Sequence, residues 1–321
     1  TGWGQIIIAL NDFDGTTTLP VTPSGGTEYT GSSTSSDLPA NASFYVSYQT
    51  AYGRTDGSAI VTSESTTSSA QALGIDDVSI TASGETSQTT TYTWIGSNGA
   101  SWQVATNWNP SRTTPQNTDI LVFNSDTKTV TAVPTQTIGQ LKVTDGAKIT
   151  LQTSGGYTLT INGDVGDDLY VASGCELNIS GSNALTISLG ANANGNIAGS
   201  MTFSGGAHRL TASSTNPIIF TGSFTAGSGF DGNAFGTTFI ESVIFQSGST
   251  YIYMAGSNPF GADPPPSVVV FQTGSLYSHR GSDRPSFSGR TYADFELDYS
   301  GTISPYGSKA VSIDNLTIKQ G

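Results

Sequence analysis

Cysteine is almost missing from this chain of 321 residues: Cys175 stands alone, so neither an internal disulfide nor a cysteine-built metal site is available. Histidine is nearly as scarce, with His208 and His279 the only two. No serine sits in a Gly-x-Ser-x-Gly elbow, which removes the usual basis for nucleophilic catalysis. Cationic side chains are few, 11 Lys and Arg against 24 Asp and Glu, for a net charge of −13. A phosphate backbone repels such a surface, which excludes nucleic acid as the expected partner. Charged residues make up only 11% of the sequence, too few for a coiled coil or a charged disordered tail. Long apolar runs are missing too; Ile6-Ile7-Ile8 is far short of the roughly 20 residues of a membrane helix. Helical periodicity is confined to Ser68–Gly74, too short to stand alone.

What remains is alternation, broken by 39 glycines and many Ser, Thr, Asn and Asp. The pattern predicts an all-β protein: a small β-sandwich over residues 1–82, a linker over 83–91, an aromatic cap segment over 92–119, and a right-handed parallel β-solenoid over 120–321, truncated at its C-terminus where the strand pattern Val311 to Ile318 stops in mid-course. Strand count in 1–82 is low for a complete sandwich, so the missing strands come from truncation or from another chain. The linker, Ser83 to Thr91, has no apolar side chain to bury. The solenoid expectation rests on repeats. Leu141-Lys142-Val143, Leu159-Thr160-Ile161 and Leu177-Asn178-Ile179 start 18 residues apart, each before a turn signal. Val243-Ile244-Phe245-Gln246-Ser247-Gly248-Ser249 returns as Val269-Val270-Phe271-Gln272-Thr273-Gly274-Ser275 at an offset of 26. One rung cannot bury its inward residues alone; the next rung, about 4.8 Å away, covers them.

Two segments carry a resemblance. Thr93-Trp94-Ile95-Gly96, Ser101-Trp102, Asn107-Trp108 and Thr118-Asp119-Ile120-Leu121-Val122-Phe123 resemble the opening of β-helical repeat regions in secreted bacterial surface proteins, many exported by type IX secretion. Leu73-Gly74-Ile75-Asp76-Asp77-Val78-Ser79-Ile80 is similar to the closing strand of jelly-roll domains that precede such regions. The resemblance implies an extracellular, adhesin-like protein and transfers no catalytic residue. Composition agrees, since Lys is scarce and Ser, Thr, Gly and Asn dominate. The chain begins without an initiator Met or a leader pattern, which fits a removed signal or a piece of a longer protein.

Several groups of residues carry side chains suited to chemistry or binding. Trp94, Trp102 and Trp108 suit either a cap on the open first rung or a sugar-stacking platform; the cap is the expectation. The paired carboxylates Asp76-Asp77 and Asp167-Asp168 point to opposite faces if in strands, and read as turn caps rather than a glycosidase pair. Asn11, Asp12 and Asp14 offer oxygen ligands at alternate positions, suited to a structural calcium ion. Cys175, next to Glu176, reads as a small filler at a rung corner. Tyr251, Tyr253 and Tyr277, with Arg280, Arg284 and Arg290, are candidate glycan contacts, although Asp283, Asp294, Glu296 and Asp298 lie near enough to neutralise the arginines.

The functional expectation is a non-enzymatic extracellular structural or adhesive protein, a stalk, filament or surface-layer subunit. It would self-associate through β-edges and solenoid ends, with residues 1–40 and 311–321 as contact surfaces. The alternative is a carbohydrate-binding module taking a polysaccharide, and the third reading is a polysaccharide lyase or glycosidase.

Overall fold

The computed structural model describes residues 89–163, 166–213, 215–261, 263–304 and 307–320, together with short strands within the first 62 residues. The chain divides into two compact units, Thr1–Thr86 and Ser87–Gly321. In the first, strands Gly4–Asp12, Gly15–Thr16, Ser43–Thr50 and Ile60–Thr62 form one antiparallel sheet, and Thr22–Ser24 pairs with Glu28–Thr30. The segments Ser68–Gly74 and Leu73–Ile80 lie outside the described residues.

The second unit is a parallel β-solenoid of about eight turns. Successive strands fall on three sheets. Sheet I holds Ile120–Phe123, Gln140–Val143, Leu169–Val171, Gly195–Ile197, Ile218–Phe220, Val243–Phe245 and Val269–Phe271, with Thr91–Trp94 and Trp108–Asn109 at its first end. Sheet II holds Thr127–Val130, Lys148–Leu151, Glu176–Gly181, Ser200–Gly205, Ser223–Ala226, Thr250–Tyr253, Leu276–His279, Thr291–Asp298 and Ser312–Gln320. Sheet III has four strands: Gln136–Ile138, Tyr157–Ile161, Leu185–Leu189 and Arg209–Thr211.

The register shows what each repeat signal meant. Leu141, Leu159 and Leu177 lie on sheets I, III and II respectively, so the 18-residue interval steps from face to face and is not the rung period. Leu141 stacks on Leu121, 20 residues earlier, and under Leu169, 28 residues later. The offset of 26 is a true turn, since Val243 pairs with Val269 and Phe245 with Phe271. The 18-residue spacing misleads because sheet-to-sheet connections in these turns are of similar length and each strand repeats the same apolar alternation.

Alternation sorts every strand into an inward and an outward row. Early turns bury aliphatic ladders, for example Leu121–Leu141–Leu169 on sheet I and Ile138–Ile161–Leu189 on sheet III. Among the described residues, sheet III has no further strand after Arg209–Thr211. Loops close that side instead, inserting Phe230, Phe235 and Phe260 into the core. The inward residues enlarge to match. Phe220, Phe245 and Phe271 stack at centroid distances of 4.6 and 5.2 Å. Beside them Phe224, Tyr251, Tyr277 and Phe295 stack at 5.5, 5.1 and 5.4 Å. Large flat rings thus fill the volume that the third sheet occupied in earlier turns.

Corners between sheets I and II repeat a local code. Residues 144–147, 172–175, 246–249 and 272–275 each make a four-residue turn in which the last N–H bonds the first carbonyl at 2.9–3.0 Å. The third position is Gly146, Gly174, Gly248 or Gly274, with φ between 77° and 85°, a region costly for other residues. The fourth is small and buried: Ala147, Cys175, Ser249 or Ser275. Two turns shorten the corner to Ala198-Gly199 and Thr221-Gly222. There the backbones press so close that a Cβ on Gly222 would collide with the Gly199 carbonyl.

Replacing Phe245 by Ala removes the centre of a ring stack and should cost roughly 3–5 kcal/mol, whereas Thr202→Ala on the outward row of sheet II should change stability by less than about 0.5 kcal/mol. Urea melts of the two variants against the parent check this. Equal midpoints for both would contradict the inward assignment.

Candidate functional site

Three places in the solenoid collect the residues picked out from the sequence: the first end, the corners between sheets, and the outer face of sheet II in its last turns.

At the first end, strand Thr91–Trp94 runs parallel to Ile120–Phe123 and antiparallel to Trp108–Asn109. This places Trp94, Trp102 and Trp108 over Phe123. The rings meet edge to face: Trp94 to Trp108 at 4.9 Å and 79°, Trp102 to Trp108 at 5.1 Å and 83°. Trp102 and Trp108 are each only 2% exposed, so neither offers a flat face to a sugar. Trp108 Nε1 donates to the Trp102 carbonyl at 2.9 Å, and Trp102 Nε1 to Gln136 Oε1 at 3.0 Å. Gln136 Oε1 also accepts from Arg112 Nη1 at 3.2 Å. Arg112 Nε pairs with Asp119 Oδ2 at 2.7 Å, and both side chains are buried. The guanidinium lies 5.8 Å from the Tyr92 ring centre and 5.9 Å from that of Trp108. A pocket of about 210 Å³ beside them is lined by Trp102, Trp108, Arg112 and Gln136. That is below the roughly 300 Å³ at which small-molecule sites begin. Arg112 was not singled out from sequence, although it is the only cationic residue between 92 and 127, inside the aromatic segment.

At the corners, Asp168 is fully buried while Asp167 is not; both precede strand Leu169–Val171 rather than lying in a strand. Asp168 Oδ1 accepts from Gln140 Nε2 at 3.0 Å and Oδ2 from the Asn194 N–H at 2.9 Å. Asp167 Oδ2 accepts from Asn196 Nδ2 at 3.0 Å. Cys175 is buried at its corner, where its Sγ accepts the Gly146 N–H. Of the calcium candidates, Asn11 and Asp12 fall in strand Gly4–Asp12, and Asp14 lies outside the described residues. Asp76-Asp77 also lies outside them. No group of His, Cys, Asp and Glu among the described residues gathers as a metal site.

The expected glycan contacts need correction. Tyr251, Tyr253 and Tyr277 face inward and are buried, members of the aromatic stack rather than an exposed platform. Tyr253 Oη lies 2.6 Å from the Gly256 carbonyl and 3.0 Å from Asp283 Oδ2, two acceptors that share its one proton; burial and that carboxylate push its pKa well up. Arg290 is buried too, 4.8 Å from the Phe260 ring centre, with Nη1 donating to the Pro266 carbonyl at 2.6 Å. Aromatic residues near arginines suggested a binding face, but parity in the strand decides, and it turns these rings into the core. Arg280 and Arg284 are the two members that stay exposed.

Arg280 belongs to an ionic cluster outside sheet II. Asp294, Glu296 and Asp298 alternate along strand Thr291–Asp298. Glu296, 6% exposed, accepts from Ser278 Oγ at 2.8 Å and from Lys319 Nζ at 2.8 Å. Arg280 reaches Glu296 at 3.9 Å and Asp298 at 3.6 Å. Asp294 accepts from Asn315 Nδ2 at 2.7 Å. Burial raises the Glu296 pKa, but the hydrogen bonds from Lys319 and Ser278 and the charges of Lys319 and Arg280 outweigh it and hold the group low. A carboxylate so held stays ionised at neutral pH and makes a poor general acid.

The two histidines are structural in position. His208 Nδ1 accepts the Leu185 N–H at 3.2 Å and Nε2 faces the Ser204 carbonyl at 3.0 Å, which places the proton on Nε2. His279 stacks on Tyr253 at 4.8 Å with Nε2 against the Asp283 carbonyl at 2.7 Å. Burial lowers both pKa values below 6.5.

The chain matches no protein-family model, no curated protein and no solved structure. Among the described residues no helix is long and apolar enough to cross a membrane.

Two outcomes follow. Asp119→Ala strands the buried Arg112 charge and should cost roughly 3–5 kcal/mol, with a red shift of tryptophan emission in the folded variant; an unshifted spectrum and parent stability would contradict the geometry. The unfolded chain takes up protons on its histidines below about pH 6.5 before the folded chain does, so both residues withdraw stability as pH falls through that value. His208→Gln, which keeps an acceptor for Leu185, should lose less stability than the parent between pH 7 and pH 5; identical losses would remove His208 from the acid response.

Proposed function

We propose that the chain is a non-enzymatic structural or adhesive protein of the bacterial cell surface, with the solenoid as a stiff shaft. The observation that carries this reading is the pair of nine-stranded sheets whose inward rows run unbroken from turn to turn. Nine strands at about 4.8 Å span roughly 40 Å of continuous backbone hydrogen bonding. The exterior fits the role: outward rows are largely short hydroxyl and amide side chains, such as Thr129, Thr150, Asn178, Thr202 and Thr225 on successive turns of sheet II. The cation-poor composition keeps such a shaft soluble and away from anionic polymers. Type IX export and a jelly-roll-like sandwich over residues 1–82 belong to the same proposal, supported by the sequence resemblance.

Carbohydrate binding is the second reading, favoured by the exposed Arg280 and Arg284. It retains them as contacts for an acidic glycan and no longer has the tyrosines.

Electron microscopy of the protein from its native culture tests the first reading: rods, filaments or sheets at the cell surface are expected, and a diffusible compact particle would overturn it. Retention on an acidic polysaccharide, lost in the R280A/R284A double variant, would promote the second.

A further inference from the structure

On the outer face of sheet I the middle row runs in register from Lys142 through Tyr170, Asn196, Ile219, Ile244 and Val270, all half-buried. Its last three members make an aliphatic strip along the side of the solenoid. β-Propensity alone does not ask for this. The matching row of sheet II meets it with Thr129, Thr150, Thr202 and Thr225, and its one aliphatic member there, Ile252, stands between Thr225 and Ser278. Single apolar residues scattered on a surface are ordinary, whereas three stacked on one flat face form a contact patch.

Resting on the structural reading above, we infer that this strip is a lateral contact between solenoids, and that its occupant is the same strip of a second copy. Charge selects where two copies can meet. A chain of net charge −13 repels its own kind, but the strip is uncharged, and two residues further along its turns stand Thr221, Gln246 and Gln272, uncharged as well. Symmetry then selects the register. With the second copy the same way up, each turn meets its counterpart and Lys142 faces Lys142. Turned end for end about a two-fold axis along strand Val243–Phe245, Ile244 meets itself and Ile219 meets Val270 twice, so every aliphatic side chain of the strip lies on another. Gln246 then faces Gln246, amide to amide, and Thr221 faces Gln272. Each Lys142 lies four turns from the axis, about 19 Å, towards opposite ends of the pair. Moving the axis half a turn towards Ile219 sets Val270 on Asn196, and a full turn sets Ile244 on Asn196. Three turns bury far less than the roughly 1,200 Å² of a stable pair. The contact is therefore weak between free copies and gains strength where solenoids are held side by side.

Cross-linking of the full chain with a short bis-maleimide tests this, because facing sheets lie about 10 Å apart. At high protein concentration Ile244→Cys should form a linked dimer roughly tenfold faster than Thr202→Cys, outward on sheet II, each rate being divided by that of labelling with a single maleimide. Cys175 is buried and does not compete. I244C/V270K should fall to the T202C rate. I244C/V270T, which keeps the β-branched shape, should fall in the same direction and separates loss of contact from loss of fold. Equal rates for I244C and T202C, or an I244C rate that neither second substitution lowers, overturn the inference. Rods that fail to cross-link leave the shaft reading standing, and a compact particle that cross-links through Ile244 removes the shaft and keeps the contact, so the two fail separately.

Discussion

Parallel stacking in register is the constraint on which the solenoid depends. Each inward side chain needs the corresponding residue of the next turn directly above it, because one turn presents a strip of apolar surface too narrow to bury itself. Backbone hydrogen bonding fixes the turn-to-turn distance, and the side chains must accept it. Flat rings do so well: Phe220 and Phe245 lie 4.6 Å apart with planes only 5° from parallel. The same constraint explains where glycine is needed. At the full corners it supplies a positive φ, and at Gly199 and Gly222 it lets two backbones approach where a side chain could not fit.

A consequence is that the cross-section changes without disturbing the ladder. When sheet III stops after Thr211, the core is refilled by loop phenylalanines and by larger residues on the other two sheets. The outer face near the last strands is handled differently. There the acids Asp294, Glu296 and Asp298 are tied to Arg280, Lys319 and Asn315, and the cluster reads as mutual neutralisation more than as a reactive site.

The class of fold was legible because alternation and Gly-punctuated short strands leave little choice, and the echo of Val243-Ile244-Phe245 in Val269-Val270-Phe271 is a real turn. The 18-residue echo was misleading for a physical reason: all three sheets demand the same inward Leu or Ile, so a match in pattern does not say which face repeats. Trp94, Trp102 and Trp108 could be placed at the first end from their clustering. The tyrosines could not be placed, since Tyr251 and Tyr277 are compatible with either parity until the register is known. Arg112 escaped notice because a single arginine carries no pattern; its meaning comes from Asp119, Gln136 and the two rings around it.

Corner and loop lengths vary from turn to turn, from the two residues of Ala198-Gly199 to the long segment between Ala226 and Val243, while the stacked rows keep their spacing. The solenoid is therefore a ruler with one graduation. Sequence can be gained or lost between strands at no change in length, and the solenoid itself grows only by whole turns, in steps of about 4.8 Å.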